Sequence, residues 1–249
     1  MSEPIQVTRD GAVQIIRINR PEKKNALTQA MYAVMTQALR DADALPEIRA
    51  TVFFGLPGMF SAGNDLNDFL GFAQGGKLGT DVTDFLQAIA SGGKPMLAGV
   101  DGLAVGVGTT LLLHCDFVVA SERAILSTPF VGLGLVPEAG SSLIAPRLMG
   151  HARAFELLVM GRRFSAARGR EAGIINEIVS SDELEARTLA AAKEIAALPA
   201  EAVAVSRALL RGDRAPVLER IAEEAKIFGE RLRSDEARQA FMAFFARKG

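Results

Sequence analysis

The stretch of residues 99–116 constrains the fold more than any other part of this chain. It opens with Gly102, Gly106 and Gly108, which give the backbone unusual freedom, and continues into an uncharged helical run over residues 109–113. A helix that is apolar on every side must be buried, so we expect this one to cross the protein interior. Its glycine-rich N-terminus would open on a cleft, where unpaired N–H groups point at whatever binds there.

Composition excludes several classes of protein. The 249 residues are 49% hydrophobic, enough for one large domain or one domain with an appendage. Lys and Arg number 28 against 29 Asp and Glu, so no overall field favours nucleic acid or an anionic membrane surface. A single cysteine excludes an internal disulfide, and His114 and His151 lack the spacing of a zinc site. With no signal pattern and no membrane-spanning apolar run, we expect a cytoplasmic protein without a metal.

The N-terminal part carries hairpin and helix signals. Residues 5–9 and 13–19 alternate apolar and polar side chains around Asp10-Gly11, which predicts two antiparallel strands joined by a tight turn. Thr28 is placed to cap the helix that follows. The apolar positions of that helix keep helical spacing and are Met31, Val34, Met35, Ala38, Leu39 and Ala42.

The order strand, strand, helix recurs further along the chain. A loop is predicted at 55–63 and a helix near 81–90. Strands are predicted at 50–54, 94–99, 116–120 and 124–128, the last two as a pair. This recurrence favours an α/β fold of stacked ββα turns over a simple doubly wound sheet.

Helices dominate after residue 140, with one short strand near 174–179. They are predicted at 141–149, 153–160, 166–172, 184–198, 218–232 and 235–245. An all-helical tail has little core of its own, so it must pack on the main domain or on another subunit. We therefore divide the chain into a core at 1–190, which holds the active site, and a helical oligomerisation region at 191–249.

Three motifs allow more than one interpretation. Gly106-Val107-Gly108 is similar to the start of a dinucleotide fingerprint, but Leu111 stands where the third glycine belongs, which argues against a nicotinamide cofactor. Asp65 fits an ordinary acid in the first turn of a helix. Glu138 stands among apolar residues ahead of a helix and is either a similar first-turn acid or a carboxylate in an apolar pocket. In such a pocket its pKa is raised, so that it exchanges a proton near neutral pH.

Four segments together resemble one known family. They are NRP and NAL within residues 19–27, FSAGNDL at 60–66, VDGLAVGVG at 100–108 and GLGLVPE at 132–138. Each is a weak signal alone, but in this order and spacing they resemble the crotonase superfamily, also called the enoyl-CoA hydratase/isomerase family. The last helix, near 234–245, is also similar, so the resemblance covers nearly the whole chain.

The resemblance implies a fold and a chemistry. Members form a spiral of ββα turns with a helical C-terminal part that builds trimers, often paired into hexamers. They bind acyl-CoA thioesters and stabilise an enolate, with no cofactor beyond the coenzyme A of the substrate. By position, the two backbone N–H donors of the family's oxyanion hole correspond to Asn64 and Val107.

Departures from the family pattern favour one reaction. Hydratases of the family carry two water-holding glutamates, and the matching positions here are Thr110 and Phe130, neither of which can act as a base. Glu138 instead matches the single glutamate of the Δ3,Δ2-enoyl-CoA isomerase branch. The resemblance therefore implies that Glu138 removes a proton from C2 of a 3-enoyl-CoA and returns it at C4.

The resemblance also implies which residues meet the coenzyme A and the acyl chain. The candidate binding residues are Lys24, Ala26, Ala62, Gly63, Asp65, Leu66 and Gly106. Candidate cations for the phosphates are Arg20, Lys23 and Lys24, with Arg247 and Lys248 as further candidates, and Phe69 is a candidate for the acyl channel. Two alternatives stay open: another crotonase-type reaction, such as hydration with a different acid, and a non-catalytic acyl-CoA binding protein in which Glu138 is only a helix-start acid.

Overall fold

The computed structural model describes residues 3–66, 68 and 79–246, apart from the side chain of Phe245. The strands in this part of the chain are β1 (Ile5–Asp10), β2 (Val13–Ile18), β3 (Ala50–Phe54), β4 (Met59–Ser61), β5 (Met96–Val100), β6 (Leu103–Val105), β7 (Phe117–Ser121), β8 (Ile125–Ser127), β9 (Phe164–Ser165) and β10 (Glu177–Val179). The α-helices are α1 (Gln29–Ala44), α2 (Asp81–Ser91), α3 (Val107–Thr110), α4 (Ser141–Leu158), α5 (Ala166–Glu171), α6 (Leu184–Ala197), α7 (Ala200–Arg211), α8 (Ala215–Leu232) and α9 (Asp235–Ala246).

The larger sheet has the strand order β1-β2-β3-β5-β7-β10. Only the β1–β2 hairpin is antiparallel, and every other neighbouring pair runs parallel. Strands β3 and β5 are buried along their whole length, as expected for parallel strands covered on both faces. One face carries the main core, which includes Ile16 and Phe53, while the other packs Val52 and Leu97 against Ala192 of α6.

The smaller sheet explains how the chain spirals. Its order is β4-β6-β8-β9, and β4, β6 and β8 are parallel neighbours. Each of the strand pairs β3–β4, β5–β6 and β7–β8 places its first strand in the large sheet and its second in the small one. The predicted spiral of ββα turns with an all-helical C-terminal region is therefore confirmed.

Several elements match their predictions closely. The N-terminal hairpin, β3 and α2 lie where the sequence patterns put them. Thr28 caps α1, because its side chain accepts a hydrogen bond from the Met31 N–H. On α1 the predicted apolar face is buried except for Val34, whose side chain is exposed.

Three predictions were wrong in part. The predicted loop at 55–63 contains strand β4, and the predicted strand pair at 116–120 and 124–128 does not pair, because β7 and β8 lie in different sheets. The single interior helix predicted at 109–113 is instead α3 followed by a 3-10 turn at Leu111–His114. The tighter turn ends the helix early so that the Asp116 N–H reaches Met96 O and the chain enters β7.

The C-terminal helices pack on the body of the molecule. Helix α6 runs across residues 190 and 191 and covers the outer face of the large sheet, whereas α8 contacts α2 and α4. The predicted division of the chain at residue 190 and the oligomerisation role of the tail stay predictions. Within the part of the chain that the structure describes, no helix combines the length and apolar character needed to cross a bilayer.

Gly102 marks the tightest crossing in the spiral. Its φ is +69°, and a Cβ added there would lie 1.9 Å from the Gly58 carbonyl oxygen in the preceding turn. Gly11 in the hairpin also has a positive φ, +60°, but nothing among the described residues lies within 4 Å of its added Cβ. A substitution at Gly11 therefore measures the effect of backbone strain alone, without a steric clash.

We expect Gly102→Ala to lower the free energy of unfolding by roughly 2–4 kcal/mol, because strain and overpacking add. The matched variant Gly11→Ala should lose only about 1 kcal/mol, from strain alone. Urea unfolding followed by circular dichroism measures both. Equal losses in the two variants would contradict the assigned clash.

Candidate active site

The candidate site lies at one edge of the small sheet. Strands β4, β6 and β8 are parallel neighbours, so their carboxyl ends share that edge, where ligands bind in open parallel sheets. Asn64 follows β4 and Val107 follows β6. Strand β4 is irregular between Met59 and Ser61, a feature that is common beside functional sites.

The backbone N–H of Asn64 is turned away from its neighbouring chain segment. Leu27 pairs with Asn64 in parallel, with the Leu27 N–H donating to Gly63 O at 2.8 Å and the Asp65 N–H donating to Leu27 O at 2.8 Å. In such a pairing the amide of the intervening residue points to the opposite side. No acceptor among the described residues receives the Asn64 N–H.

Val107 supplies a second unpaired amide, because it is the first residue of α3. The N–H groups of a helix's first turn have no partner within the helix. Gly106 precedes it with a φ of +57°, and the Gly106 N–H is already bonded to Ser127 O at 2.8 Å. As with Asn64, no described residue accepts from the Val107 N–H.

The two segments touch without side chains between them. A Cβ added to Gly63 would lie 2.7 Å from Val105 O and 3.8 Å from the Gly106 Cα. One added to Gly108 would lie 3.0 Å from the Ser61 Cβ. Gly63 therefore allows a contact that a Cβ would block, and Gly108 leaves little room for one, so the segments that carry the Asn64 and Val107 peptides pack closely together.

A rigid loop at residues 20–27 supports this arrangement. Asn25 is fully buried, and its Nδ2 donates to Ile18 O, Met59 O and Phe60 O at 3.0–3.2 Å. Lys24 accepts a hydrogen bond from the Ala62 N–H through its backbone carbonyl. These contacts fix the loop against β4 and the segment that leads to Asn64.

Glu138 is a buried carboxyl group that is only partly satisfied. Its side chain is 5% exposed, and its Oε1 accepts a hydrogen bond from the Thr110 hydroxyl. Its Oε2 is buried and has no partner among the described residues. Burial, and to a smaller degree the charge of Glu224, raise the pKa of Glu138 to about 8, while the Thr110 hydrogen bond opposes the rise. The carboxyl can therefore both take and return a proton near neutral pH.

Asn64 and Glu138 line one cavity of about 470 Å³. Its wall between α2 and α8 is mostly apolar, with charged side chains on the α8 side. The other lining residues are Gly79, Thr80, Val82, Thr83, Leu86, Ile221, Ala225, Lys226, Phe228, Gly229, Glu230 and Arg233. This is the environment that desolvates the Glu138 carboxyl.

A second cavity of about 110 Å³ collects most of the predicted binding residues. It is lined by Ala62, Gly63, Asn64, Leu66 and Gly106, and it shares Asn64 and Phe228 with the larger cavity. Phe130, which stands at a hydratase glutamate position, also lines it. Its walls are largely apolar, so it suits an uncharged part of a ligand.

The remaining predicted residues flank these cavities. Lys24 is exposed, and Ala26 lies half-buried in the same loop, where its carbonyl accepts from Arg20 at 2.9 Å. The Arg20 guanidinium, predicted as a phosphate cation, pairs with the buried Asp65 carboxylate at 2.7 Å. Lys23 is exposed beside them. Phe69, Arg247 and Lys248 lie outside the described residues.

Two contacts at the site were missed by sequence reasoning. The Tyr32 hydroxyl donates to Asn64 Oδ1, and burial, with a smaller contribution from Glu138, holds the tyrosine's pKa well above its usual value. Glu224 of α8 is 5% exposed and binds the backbone just after Glu138. A signal for Glu224 existed, because it stands on the apolar stripe of α8 between Ile221 and Phe228.

Two other potentially reactive side chains, His114 and Cys115, are not placed to react at this site. Burial lowers the pKa of His114 to about 4, so the ring is neutral, and its Nε2 contacts Ala139 O at 2.7 Å and must carry the proton. Burial raises the pKa of the Cys115 thiol, which makes it a poor nucleophile. No group of three or more metal-binding side chains occurs among the described residues.

Comparison with known proteins places this chain in a family. The family model for enoyl-CoA hydratase/isomerase matches residues 8–249. Enoyl-CoA delta isomerase 2 of Rattus norvegicus is 36% identical over 253 residues, which cover 99% of this chain and 64% of that protein. The chain thus spans less than two thirds of the length of the rat relative. A probable enoyl-CoA hydratase of Rhizobium meliloti (strain 1021) is 32% identical, with 99% of this chain and 96% of that protein covered.

Solved structures agree with the sequence comparison. The structure of Pseudomonas aeruginosa OdaA superposes with a TM-score of 0.91 and 41% identity, covering 98% of this chain and 99% of that one. An enoyl-CoA hydratase/isomerase from Pseudoalteromonas atlantica T6c gives a TM-score of 0.93 and 38% identity, with 98% of both chains covered. The chain therefore belongs to the enoyl-CoA hydratase/isomerase family of the crotonase superfamily.

Proposed function

We propose that this protein is a Δ3,Δ2-enoyl-CoA isomerase with Glu138 as its only acid–base group. The observation that carries the proposal is the Glu138 carboxyl, which is buried, keeps one oxygen without a partner among the described residues, and shares a cavity with Asn64. Relatives with both names exist, the rat isomerase and the Rhizobium hydratase among them, so the chemistry of the site must decide between them.

The proposed reaction needs one base and one oxyanion hole. The thioester oxygen of a 3-enoyl-CoA accepts hydrogen bonds from the Asn64 and Val107 N–H groups. Glu138 Oε2 removes a proton from C2, the electron pair of that C–H bond moves toward the carbonyl, and a dienolate forms. The same carboxyl then protonates C4, so the double bond ends between C2 and C3 with no net gain or loss of atoms. Loss of one oxyanion donor typically costs about 2.7–4 kcal/mol of catalysis.

The positions that would serve hydration are occupied differently. The Thr110 hydroxyl donates its hydrogen bond to Glu138, and the apolar ring of Phe130 lines the second cavity. Addition of water needs a group that holds and deprotonates it, and neither side chain is a base. We therefore propose that 2-enoyl-CoA is a product and is not hydrated.

The substrate's coenzyme A moiety fits the loop side of the site. Lys23 and Lys24 are exposed there, near Ala62 and the small cavity, and can meet phosphate groups. Arg20 already forms an ion pair with Asp65, which largely neutralises its charge within the protein. We propose that coenzyme A enters as part of the substrate and that no other cofactor is needed.

We expect Glu138→Gln to abolish isomerisation while acyl-CoA binding persists, because the amide keeps the shape and removes the base. The absorbance of a conjugated thioester formed from 3-enoyl-CoA measures turnover, and isothermal titration with the product measures binding. Glu122→Gln removes an exposed carboxyl and serves as the matched control. Retained turnover in Glu138→Gln, or a 3-hydroxy product from 2-enoyl-CoA, would refute the assignment.

The same variant should be more stable than the wild type at alkaline pH. The pKa of Glu138 is about 8 in the folded chain, against an ordinary value of 4.5, so the fold loses stability through this group as pH rises across that window. Glu138→Gln removes that loss. Its melting temperature should exceed the wild-type value at pH 8, and the gap should close toward pH 4. Thermal scans at the two pH values measure the difference.

Tyr32→Phe should reduce kcat/KM about 3- to 10-fold, because Asn64 loses the hydrogen bond that holds its side chain. The ring itself is kept, including its packing against Phe85 at 5.3 Å between centroids. Thr36→Val is the matched control, since it removes another buried hydroxyl of α1 that has no partner among the described residues. Steady-state kinetics of both variants measure the effect, and equal activity in the two would contradict a role for Tyr32.

We also propose that the helices after residue 191 form contacts between subunits in a trimer or a dimer of trimers. Helix α7 supports this, because Leu209 and Leu210 are 78% and 89% exposed and Val205 is 54% exposed. Leu210→Asp should therefore shift the assembly toward smaller species. Sedimentation equilibrium measures the mass, and a wild-type monomer would contradict the proposal.

A further inference from the structure

Glu224 is a second buried carboxyl group close to Glu138, and the reaction described above does not use it. Its Oε2 accepts a hydrogen bond from the Gly140 N–H at 2.6 Å. Its Oε1 accepts from the Ser142 N–H at 3.0 Å and from the Ser142 hydroxyl at 2.5 Å. A side chain of α8 therefore caps the start of α4, just after the Glu138 backbone.

The backbone between Glu138 and α4 is in an unfavourable conformation. Ala139 has a φ of +63°, a region that costs free energy for any residue with a Cβ. Two groups hold it there: the His114 Nε2–H donates to Ala139 O, and Glu224 grips the next N–H, that of Gly140. The side-chain direction of Glu138 depends on this turn.

From this geometry we infer that Glu224 is a positioning residue for the base: it fixes the turn that aims Glu138 into the cavity, and its negative charge acts on the Glu138 carboxyl. The inference rests on the proposed function only in taking Glu138 as the base. Glu224 contacts neither reacting atom in this scheme and acts through Glu138 alone.

The hydrogen bonds indicate that Glu224 is ionised. The two backbone N–H groups can only donate, and the Ser142 hydroxyl also receives a hydrogen bond from Arg220 at 3.1 Å, which leaves its own proton for Glu224. A carboxylate offers acceptor lone pairs on both oxygens to all of these donors, whereas an amide would place its NH2 group against one of them. Burial has the largest effect and raises the pKa of Glu224 above its ordinary value, while the three donors and the nearby Arg220 charge act against that rise and favour the anion.

The charges around Glu138 come from several elements. Tyr32 faces it from α1, Thr110 from α3 and Glu224 from α8, while His114 is neutral behind Ala139. Lys226 and Glu230 of α8, and Arg233 directly after it, line the same cavity. Among these groups Glu224 is the charged one that raises the pKa of Glu138, and the Thr110 hydrogen bond lowers it.

Glu224→Gln should change two separate quantities. The plateau value of kcat should fall about 10- to 100-fold with KM little changed, because the turn at Ala139 is held less firmly. The acid limb of the kcat/KM profile should move to lower pH by roughly half to one unit, since a like charge near Glu138 is removed. If Glu224 had only a structural role, Glu224→Gln would lower the free energy of unfolding without moving the acid limb of the kcat/KM profile.

Three further variants make the result specific. Glu219→Gln removes an exposed carboxylate of the same helix α8 and should leave the profile unchanged. Thr110→Val removes the hydrogen bond to the Glu138 carboxylate and should move the limb the other way, to higher pH. Adding Ala139→Gly to Glu224→Gln should restore part of kcat, because glycine adopts a positive φ without strain, but the limb should stay low.

A measurement without turnover separates this inference from the proposed function. Carbon-13 NMR of carboxyl-labelled glutamate follows the Glu138 titration directly, with the signal assigned by its loss in Glu138→Gln. A lower midpoint in Glu224→Gln than in the wild type supports the inference even if 3-enoyl-CoA is not isomerised. The inference is overturned if the midpoint of the Glu138 titration is the same in Glu224→Gln as in the wild type. It is also overturned if the enzyme isomerises 3-enoyl-CoA but Glu224→Gln has the wild-type kcat plateau and the wild-type acid limb.

Discussion

The site depends on the close approach of two chain segments at Gly63 and Gly108. A Cβ at Gly63 would clash with the end of β6, and one at Gly108 would press tightly on Ser61. Because glycine stands at these points, the peptides of Asn64 and Val107 lie together with their N–H groups unpaired within the described chain. Donors that are fixed by the fold need no reorganisation when charge develops on a ligand oxygen, which is the main source of their catalytic effect.

The two sheets have different roles in the fold. Strands β3 and β5 of the large sheet are buried on both faces and supply the packed core. The small sheet has strands of two or three residues and supplies the edge from which the site is built.

The elements that the sequence predicts well are those with local signals. The Asp10-Gly11 hairpin, the Thr28 cap and the continuous apolar run of β3 each carry their own pattern. Strands β4 and β6 are too short to show alternation, so the first was predicted as a loop and the second was not found. The helix over residues 109–113 was predicted as one element because its apolar character says nothing about where tertiary contacts shorten it.

The site also contains residues that the sequence predicts and residues that it does not. Asn64, Val107 and Glu138 were named through a family resemblance, and the structure brings the first and last to one cavity. Thr110, Tyr32 and Glu224 are linked to them by hydrogen bonds between residues distant in sequence, which no local pattern encodes. The anchor of the Glu138 turn lies on α8, close to the end of the chain. The hydrogen bonds that fix this turn therefore form only once α8, 84 residues further along the sequence, has packed against α4.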